Sequence, residues 1–388
     1  MARWVSTRDL LRSPGVLFEV KTPSLKVPKA ASVSHEPETA SAPPPPAKEQ
    51  STWAGKMSEI PHHEPSLASR VRPDLGSAAD RHNGFHEAYH AKGSKVNTSD
   101  RHKKIRHLRG SSNVVLGGHL ESGHGFIAKP HSGAAWGYEK SPDGGDIPDD
   151  DREAMHTGAE SHEWHRRHSA VFDTMAAMGA HHMVPVGFKT KLHDHLKDTL
   201  ASDENDSRAK AMRMPSFHAG QDAHVQEHVG EHTKASVTAP SDLAKVDNED
   251  RLHGIVMHTL FGHTDGHDDN ILVSKHGHSI AIDHDSSMRS AHSRQEANLR
   301  GGDSVVSGYA PGGVLDYRAN RSDDVGMNYP HRMKEVLSSI AKGHHMIGDG
   351  AMDISKEDGE FIQERAKMML EHGLEGTISQ LKVSHQVD

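Results

Sequence analysis

His263-Thr-Asp-Gly-His-Asp-Asp-Asn-Ile-Leu-Val273, followed after a short gap by Ile280-Ala-Ile-Asp283, carries the densest chemistry in this 388-residue chain. Asp265 stands two residues after His263, Asn270 five after Asp265, and Asp283 thirteen after Asn270. The apolar runs Ile271-Leu-Val273 and Ile280-Ala-Ile282 flank a Lys275-His-Gly277 turn and read as two short strands of a hairpin. Such a hairpin returns Asp283 to the side of Asn270. The stretch then offers a proton acceptor, Asp265, and two hard oxygen donors for one cation, Asn270 and Asp283.

Phosphoryl transfer asks for little more than this, plus cationic cover for the phosphates. His263, Asp265 and Asn270 fall at the spacings of the H-R-D-x-x-x-x-N catalytic loop of kinases, and Asp283 falls where the metal-binding Asp follows. A Lys is then expected upstream on a strand, after a Gly-rich turn. Phe126-Ile-Ala-Lys129 supplies it, and Gly110-Ser111-Ser112 precedes it as the phosphate cover. The next helix offers Glu160 and Glu163 as partners for Lys129. Glu163 is preferred because Glu160 belongs to the capping box Thr157-Gly-Ala-Glu160.

Asp265-Gly-His-Asp-Asp-Asn-Ile-Leu272 resembles the D-R-H-x-x-N-I-L loop of the phosphatidylinositol 3-/4-kinase-like group. Ile280-Ala-Ile-Asp283 resembles that group's I-D-F-G or I-D-N-G segment. Gly110-Ser-Ser112 and Phe126-Ile-Ala-Lys-Pro130 are similar to the G-S and F-K-P elements of type II phosphatidylinositol 4-kinases and their bacterial and viral relatives. Met178-Gly179 with Val184-Pro185 is similar to their L-G…V-P junction. The resemblance spans about residues 105–375. It implies an α+β, bilobal protein-kinase-like fold, with a small β-rich N-lobe holding one helix and a larger, mainly helical C-lobe. ATP would lie between the lobes, Mg2+ on Asn270 and Asp283, and adenine against the linker around Gln226-Glu-His-Val229. Asp265 would act as base, and His263 and His267 would support the loop. The sequence departs from the pattern at Gly266, where the group usually carries Arg, at Thr264, and at His284-Asp285 in place of Phe-Gly or Asn-Gly.

Composition bounds the rest. Apolar residues make up 34%, aromatics 4%, and there is no Cys, which excludes disulfides, thiolate metal sites and Cys nucleophiles. No apolar run approaches the ~18 residues of a membrane span. The opening Met1-Ala-Arg-Trp-Val-Ser-Thr-Arg-Asp9 lacks the apolar stretch of a secretory signal. The net charge of −9 argues against a general nucleic-acid binder. Protonating nine of the 36 His cancels it, and these His are read mainly as exposed polar residues. The sequence is read as carrying no polybasic run of the kind that favours an anionic membrane, which ranks a protein hydroxyl above a lipid as acceptor. A cytoplasmic or virion-associated location is expected.

Eleven of the 19 Pro fall in residues 1–75, including Pro43 to Pro46. Residues 1–95 therefore read as a disordered, Pro/Ser/Ala-rich extension or anchoring tail. Its apolar cluster Leu10, Leu11, Val16, Leu17, Phe18 and Val20 suits docking to an assembly partner. Residues 105–235 are then the N-lobe and linker, and 236–388 the C-lobe. Strands are expected at Asn113-Val-Val-Leu116, Phe126–Lys129, Val184-Pro-Val186 and Ala223–Val229. Helices are expected through Trp164, Val171, Phe172, Met175 and Met178, through Leu252, Ile255, Val256 and Leu260, and after Ser355-Lys-Glu-Asp358 through Phe361, Ile362, Met368 and Met369.

Two rival readings remain open, and a third, a zinc site, is not supported. A catalytically weak or inactive kinase-like scaffold within a larger assembly, such as a viral particle, fits the loop departures and the tail. His263-Thr-Asp265 matches part of an iron(II) facial triad, against a composition poor in strands. His162-Glu-Trp-His165 is not H-E-x-x-H, because Arg166 occupies the second ligand position. His162, His165 and His168 at three-residue steps read as a solvated helix face.

Overall fold

The computed structural model describes residues 53, 56–57, 66–91, 106–108, 115–130, 158–192, 222–284, 287–288, 305–319, 329–347 and 351–385. All belong to one compact unit, Ala47–Asp388. Gly110, Ser111 and Ser112, the apolar cluster at 10–20, the Pro43–Pro46 run and the Thr157 capping position lie outside the described residues.

The first layer is an antiparallel sheet of β1 (Arg106–Leu108), β2 (Val115–His119), β3 (Gly125–Pro130), β4 (Gly187–Lys191) and β5 (Asp222–Glu227), in the order β1-β2-β3-β5-β4. The register pairs Ala128 with Val225 and Val225 with Phe188. Side chains alternate between faces along a strand. Phe126, Ala128, Val225 and Phe188 therefore share one face, and Ile127, Lys129, His224 and Gln226 the other. The strand expected at Val184-Pro-Val186 starts three residues later, at Gly187, just past the expected segment, in which Pro185 has no N–H to give a ladder. The first strand of the expected Gly-turn pair is likewise shifted, to Val115–His119.

Helices α1 (Leu67–Val71) and α2 (Ala78–His90) differ from the expectation of an extension reaching residue 95. Helix α2 begins at a reciprocal cap. Asp80 N–H donates to Ser77 Oγ at 3.1 Å, and Ser77 N–H donates to the Asp80 carboxylate at 3.1 Å. Phe85 and Tyr89, four residues apart on one side, are 3% and 0% exposed. They pack on Phe126 and Phe188 with centroids 5.4–5.9 Å apart. Burying each ring is worth roughly 1.5–3 kcal/mol, which fixes α2 to that face of the sheet. Helix α3 (Gly158–Ala177) approaches the opposite face, where His168 meets His224 at 4.8 Å between centroids. Gly179, at φ 78°, turns the chain out of α3.

The second layer is mainly helical: α4 (Asn248–Phe261), α5 (His331–Ala341) and α6 (Lys356–Gln380). Asp247 caps α4 by accepting from Glu249 N–H at 2.7 Å, and Gly262 ends it at φ 57°. Every residue from Asp250 to Phe261 is buried, so α4 is the spine of the core. Ser355 caps α6 as expected. Beside α4 lies a small sheet of β6 (His232–Lys234), β7 (Ile271–Ser274) and β8 (Ser279–Ala281), in sequence order. Strand β9 (Val305–Val306) pairs in parallel with β10 (Val383–Ser384). The architecture is α+β: a five-stranded sheet with α2 on one face and α3 on the other, continued through β5 into a mainly helical part that carries the 263–283 loop and hairpin.

Candidate active site

The loop 263–270 joins the end of α4 to β7, and its backbone is pinned on two sides. His263 N–H donates to His258 O at 3.0 Å, and Val306 N–H donates to His263 O at 2.9 Å. Gly308 N–H donates to Gly266 O at 2.8 Å, and Gly266 bridges to Ser307 in parallel. A Cβ at Gly266 would lie 2.5 Å from Val306 O and 2.6 Å from the His258 ring. The position that carries Arg in the resembling group is thus closed to any side chain here, because β9 and His258 occupy the space.

The side chains of the loop fold inward on one another. Asn270 Nδ2 donates to Asp265 O at 2.8 Å and to Asp265 Oδ2 at 3.1 Å. His267 Nε2 is 3.3 Å from Asp265 Oδ1, and its Nδ1 accepts from Asp269 N–H at 3.2 Å. Asp269 turns away to Ser236 and to Lys234 Nζ. Ile282 N–H donates to Asn270 O at 2.9 Å, so the β7–β8 hairpin places Asp283 beside Asn270 as its length requires.

From the sheet side, Lys129 reaches this loop and forms an ion pair with Asp283. The Lys129 side chain is 8% exposed and that of Asp283 35%. Asp283 sits at φ 65°, a backbone region that costs a non-Gly residue energy and is tolerated where surrounding contacts impose it. Burial raises the Asp265 carboxyl above its ordinary range, and the neighbouring Asp283 charge adds to this. His267, Asn270 and Lys129 oppose the shift. Two carboxylates and one ammonium thus lie close enough to act on one another, and Asp265 holds its proton more tightly than an ordinary carboxyl.

Of the other expected residues, Gln226 lies on β5, on the same face as Lys129, and is 6% exposed. Val229 follows two residues after the end of β5 and is half-buried. Glu163 lies on α3, with its side chain outside the described residues. His263 is 1% exposed and lies beneath the loop.

Histidine composition hid one feature. His224, His168, His284, His263 and His258, each at most 3% exposed, form a continuous row behind the loop. Successive ring centroids are 4.8, 5.6, 5.4 and 4.7 Å apart. The reading of His as mainly exposed does not hold for these five. Their signal was position: His258 stands inside Ile255-Val-Met-His-Thr-Leu-Phe261, a run that is otherwise apolar but for one Thr. His168 Nε2–H donates to Pro185 O at 2.8 Å, and His284 Nε2–H donates to Ala281 O at 3.0 Å. Burial lowers His168 and His263 to about 4, and pushes His258 and His284 well below the usual imidazole range.

Among the described residues, no group of three or more His, Asp or Glu is gathered closely enough to hold a metal ion, and no helix is long and apolar enough to cross a membrane. No protein-family model matches the chain, and no curated protein matches it. Solved structures that match the chain include two of a Golgi casein kinase, at low structural overlap. One is a Golgi casein kinase, at 14% identity and a TM-score of 0.36, covering 83% of this chain and 85% of that one. The other is the Golgi casein kinase with Mn/ADP bound, at 13% identity and a TM-score of 0.36, covering 86% and 85%.

Proposed function

We propose that the chain is an ATP- and Mg2+-dependent phosphotransferase of the phosphatidylinositol-kinase-like group, acting on a hydroxyl acceptor. The observation that carries this reading is the ion pair of Lys129, from the five-stranded sheet, with Asp283, which the β7–β8 hairpin brings next to the hydrogen-bonded Asp265–Asn270 pair. Asp265 is the base: its raised proton affinity suits accepting a hydroxyl proton. Lys129 holds the phosphates, with Gly110, Ser111 and Ser112 over them and Glu163 as a partner on α3. Gln226 and Val229 line the adenine side. His267 braces Asp265, and His263 supports the loop from below.

The donor set fits a magnesium ion. Asn270 spends its amide N–H on Asp265, which leaves its Oδ1 free to serve as a hard donor, and the backbone bond from Ile282 to Asn270 keeps Asp283 in the same neighbourhood. Magnesium commonly takes one or two protein oxygens and completes its shell with phosphate and water. When bound it neutralises charge on the transferring phosphoryl group.

A lipid hydroxyl fits as acceptor as well as a protein hydroxyl, because the chain does carry one polybasic stretch. Arg101-His-Lys-Lys-Ile-Arg-His-Leu-Arg109 holds five Lys or Arg in nine positions, the kind of stretch that an anionic surface attracts.

Ligand binding to the folded state raises the unfolding midpoint by mass action. ATP with Mg2+ is expected to stabilise the wild type in a thermal-shift titration, and Asp283→Ala is expected to lose the Mg2+-dependent part while still melting cooperatively. Equal stabilisation of both proteins would remove Asp283 from the metal site.

A further inference from the structure

Among the described residues outside the loop, Arg81 of α2 makes a dense set of bonds. Its Nε and Nη2 donate to Glu227 Oε2 at 3.1 and 2.6 Å, and its Nη1 donates to Val184 O at 3.0 Å and to His181 O. The guanidinium carbon lies 6.0 Å from the Phe172 ring centroid of α3. The Arg81 side chain is 6% exposed and that of Glu227 is 28%. One side chain therefore ties together α2, the end of β5 and the connection from α3 to β4.

Glu227 is the last residue of β5, and the linker residues His228 and Val229 follow it. Its backbone N–H donates to Val186 O at 2.8 Å, and His228 N–H donates to Gly125 O at 3.0 Å. The backbone of this segment is held by the sheet, and its charged side chain by α2. A second contact extends the brace to the core helix α4. Arg70 of α1 pairs with Glu249 in the first turn of α4, and Ala68 N–H donates to Gly179 O at 2.8 Å. The segment 66–90 thus reaches from the end of β5 to the start of the core helix.

We propose that Arg81 is a positioning residue for the nucleotide, and that 66–90 is an integral part of the nucleotide-binding unit. This rests on the reading above that Gln226–Val229 meets adenine. A guanidinium offers its donors in a fixed fork, here spread over one carboxylate and two carbonyls. Removing it leaves the Glu227 carboxylate without its buried counter-ion and frees the linker to rotate away from the position that the nucleotide needs. A neutral Gln at 227 keeps an acceptor oxygen at the same place.

The test compares wild type, Arg81→Met and Glu227→Gln by ATP affinity with Mg2+, by the KM and kcat for ATP, and by amide hydrogen exchange over 227–229. Arg81→Met is expected to raise the ATP dissociation constant and KM about tenfold, with kcat within about threefold, and to speed exchange at 227–229. Glu227→Gln is expected to show a smaller shift of the same sign, and it carries the test if Arg81→Met fails to fold. A folded Arg81→Met with wild-type affinity and KM overturns this proposal alone. A wild type that binds no ATP overturns the nucleotide reading, and this proposal with it.

Discussion

Asp265→Asn is expected to reduce phosphate transfer by roughly 10²–10⁴-fold, the usual contribution of a positioned base, while ATP affinity stays within about twofold. Asn is nearly isosteric with Asp and keeps an oxygen to accept from Asn270 Nδ2, so the loop stays closed. What it lacks is a basic oxygen. In the wild type that basicity is raised by burial and by the Asp283 charge, so the substitution removes the property that the surroundings build. Lys129, Asn270 and Asp283 are untouched, which is why binding survives. Single-turnover transfer, with circular dichroism to confirm the fold, reads both halves. Transfer within about threefold of wild type would assign the base elsewhere.

Mild acid is expected to unfold the protein before carboxylate protonation does. His168 and His263 are held at about 4 by burial, and His181 at about 3, against about 6.5 in an unfolded chain. A group whose folded pKa is depressed contributes stability that is complete above the unfolded value and is lost as pH falls through the folded one. The window here runs from about 6.5 down to about 4. Each such His contributes a slope of ~1.4 kcal/mol per pH unit, so His168 and His263 together forfeit about 7 kcal/mol across it. That is comparable to the ~5–15 kcal/mol stability of a whole domain. His284 Nδ1 and His258 Nε2 are buried without a hydrogen-bond partner among the described residues, so protonating them costs more. Asp173 on α3, pushed up to about 7, opposes the trend. It is a single group, and the several histidines outweigh it. Urea midpoints measured from pH 8 to pH 4.5 should fall steeply below about 6.5. A flat profile down to pH 5 would mean that these imidazoles do not stay neutral in the folded state.

The loop, the hairpin, β3, β5, α3, α4 and the start of α6 were legible because each rests on a local rule: fixed spacing between polar residues, an apolar period, or a cap. Helix α2 was not. Ala78–His90 is rich in His, Asp and Asn, and its apolar content is concentrated in Phe85 and Tyr89. A compositional argument over residues 1–95 averages those two rings away, although the Ser77 and Asp80 cap was readable. The row of buried histidines was missed for the same reason, since a count of 36 does not say which ones interrupt apolar runs. Gly266 was read as a departure from a pattern. Its cause is tertiary, the approach of β9 and His258, which lie far from it in sequence or across a helix end. The Arg81–Glu227 contact spans 146 residues and has no local signature.

The central claim is tested most directly by following the terminal phosphate of labelled ATP with the full-length wild-type chain. The reaction is run with Mg2+ and with a chelator, on a generic protein mixture and on vesicles containing anionic inositol lipid. The account predicts label in at least one acceptor, present with Mg2+ and absent with the chelator. No label in any arm, together with no detectable ATP binding, would contradict it.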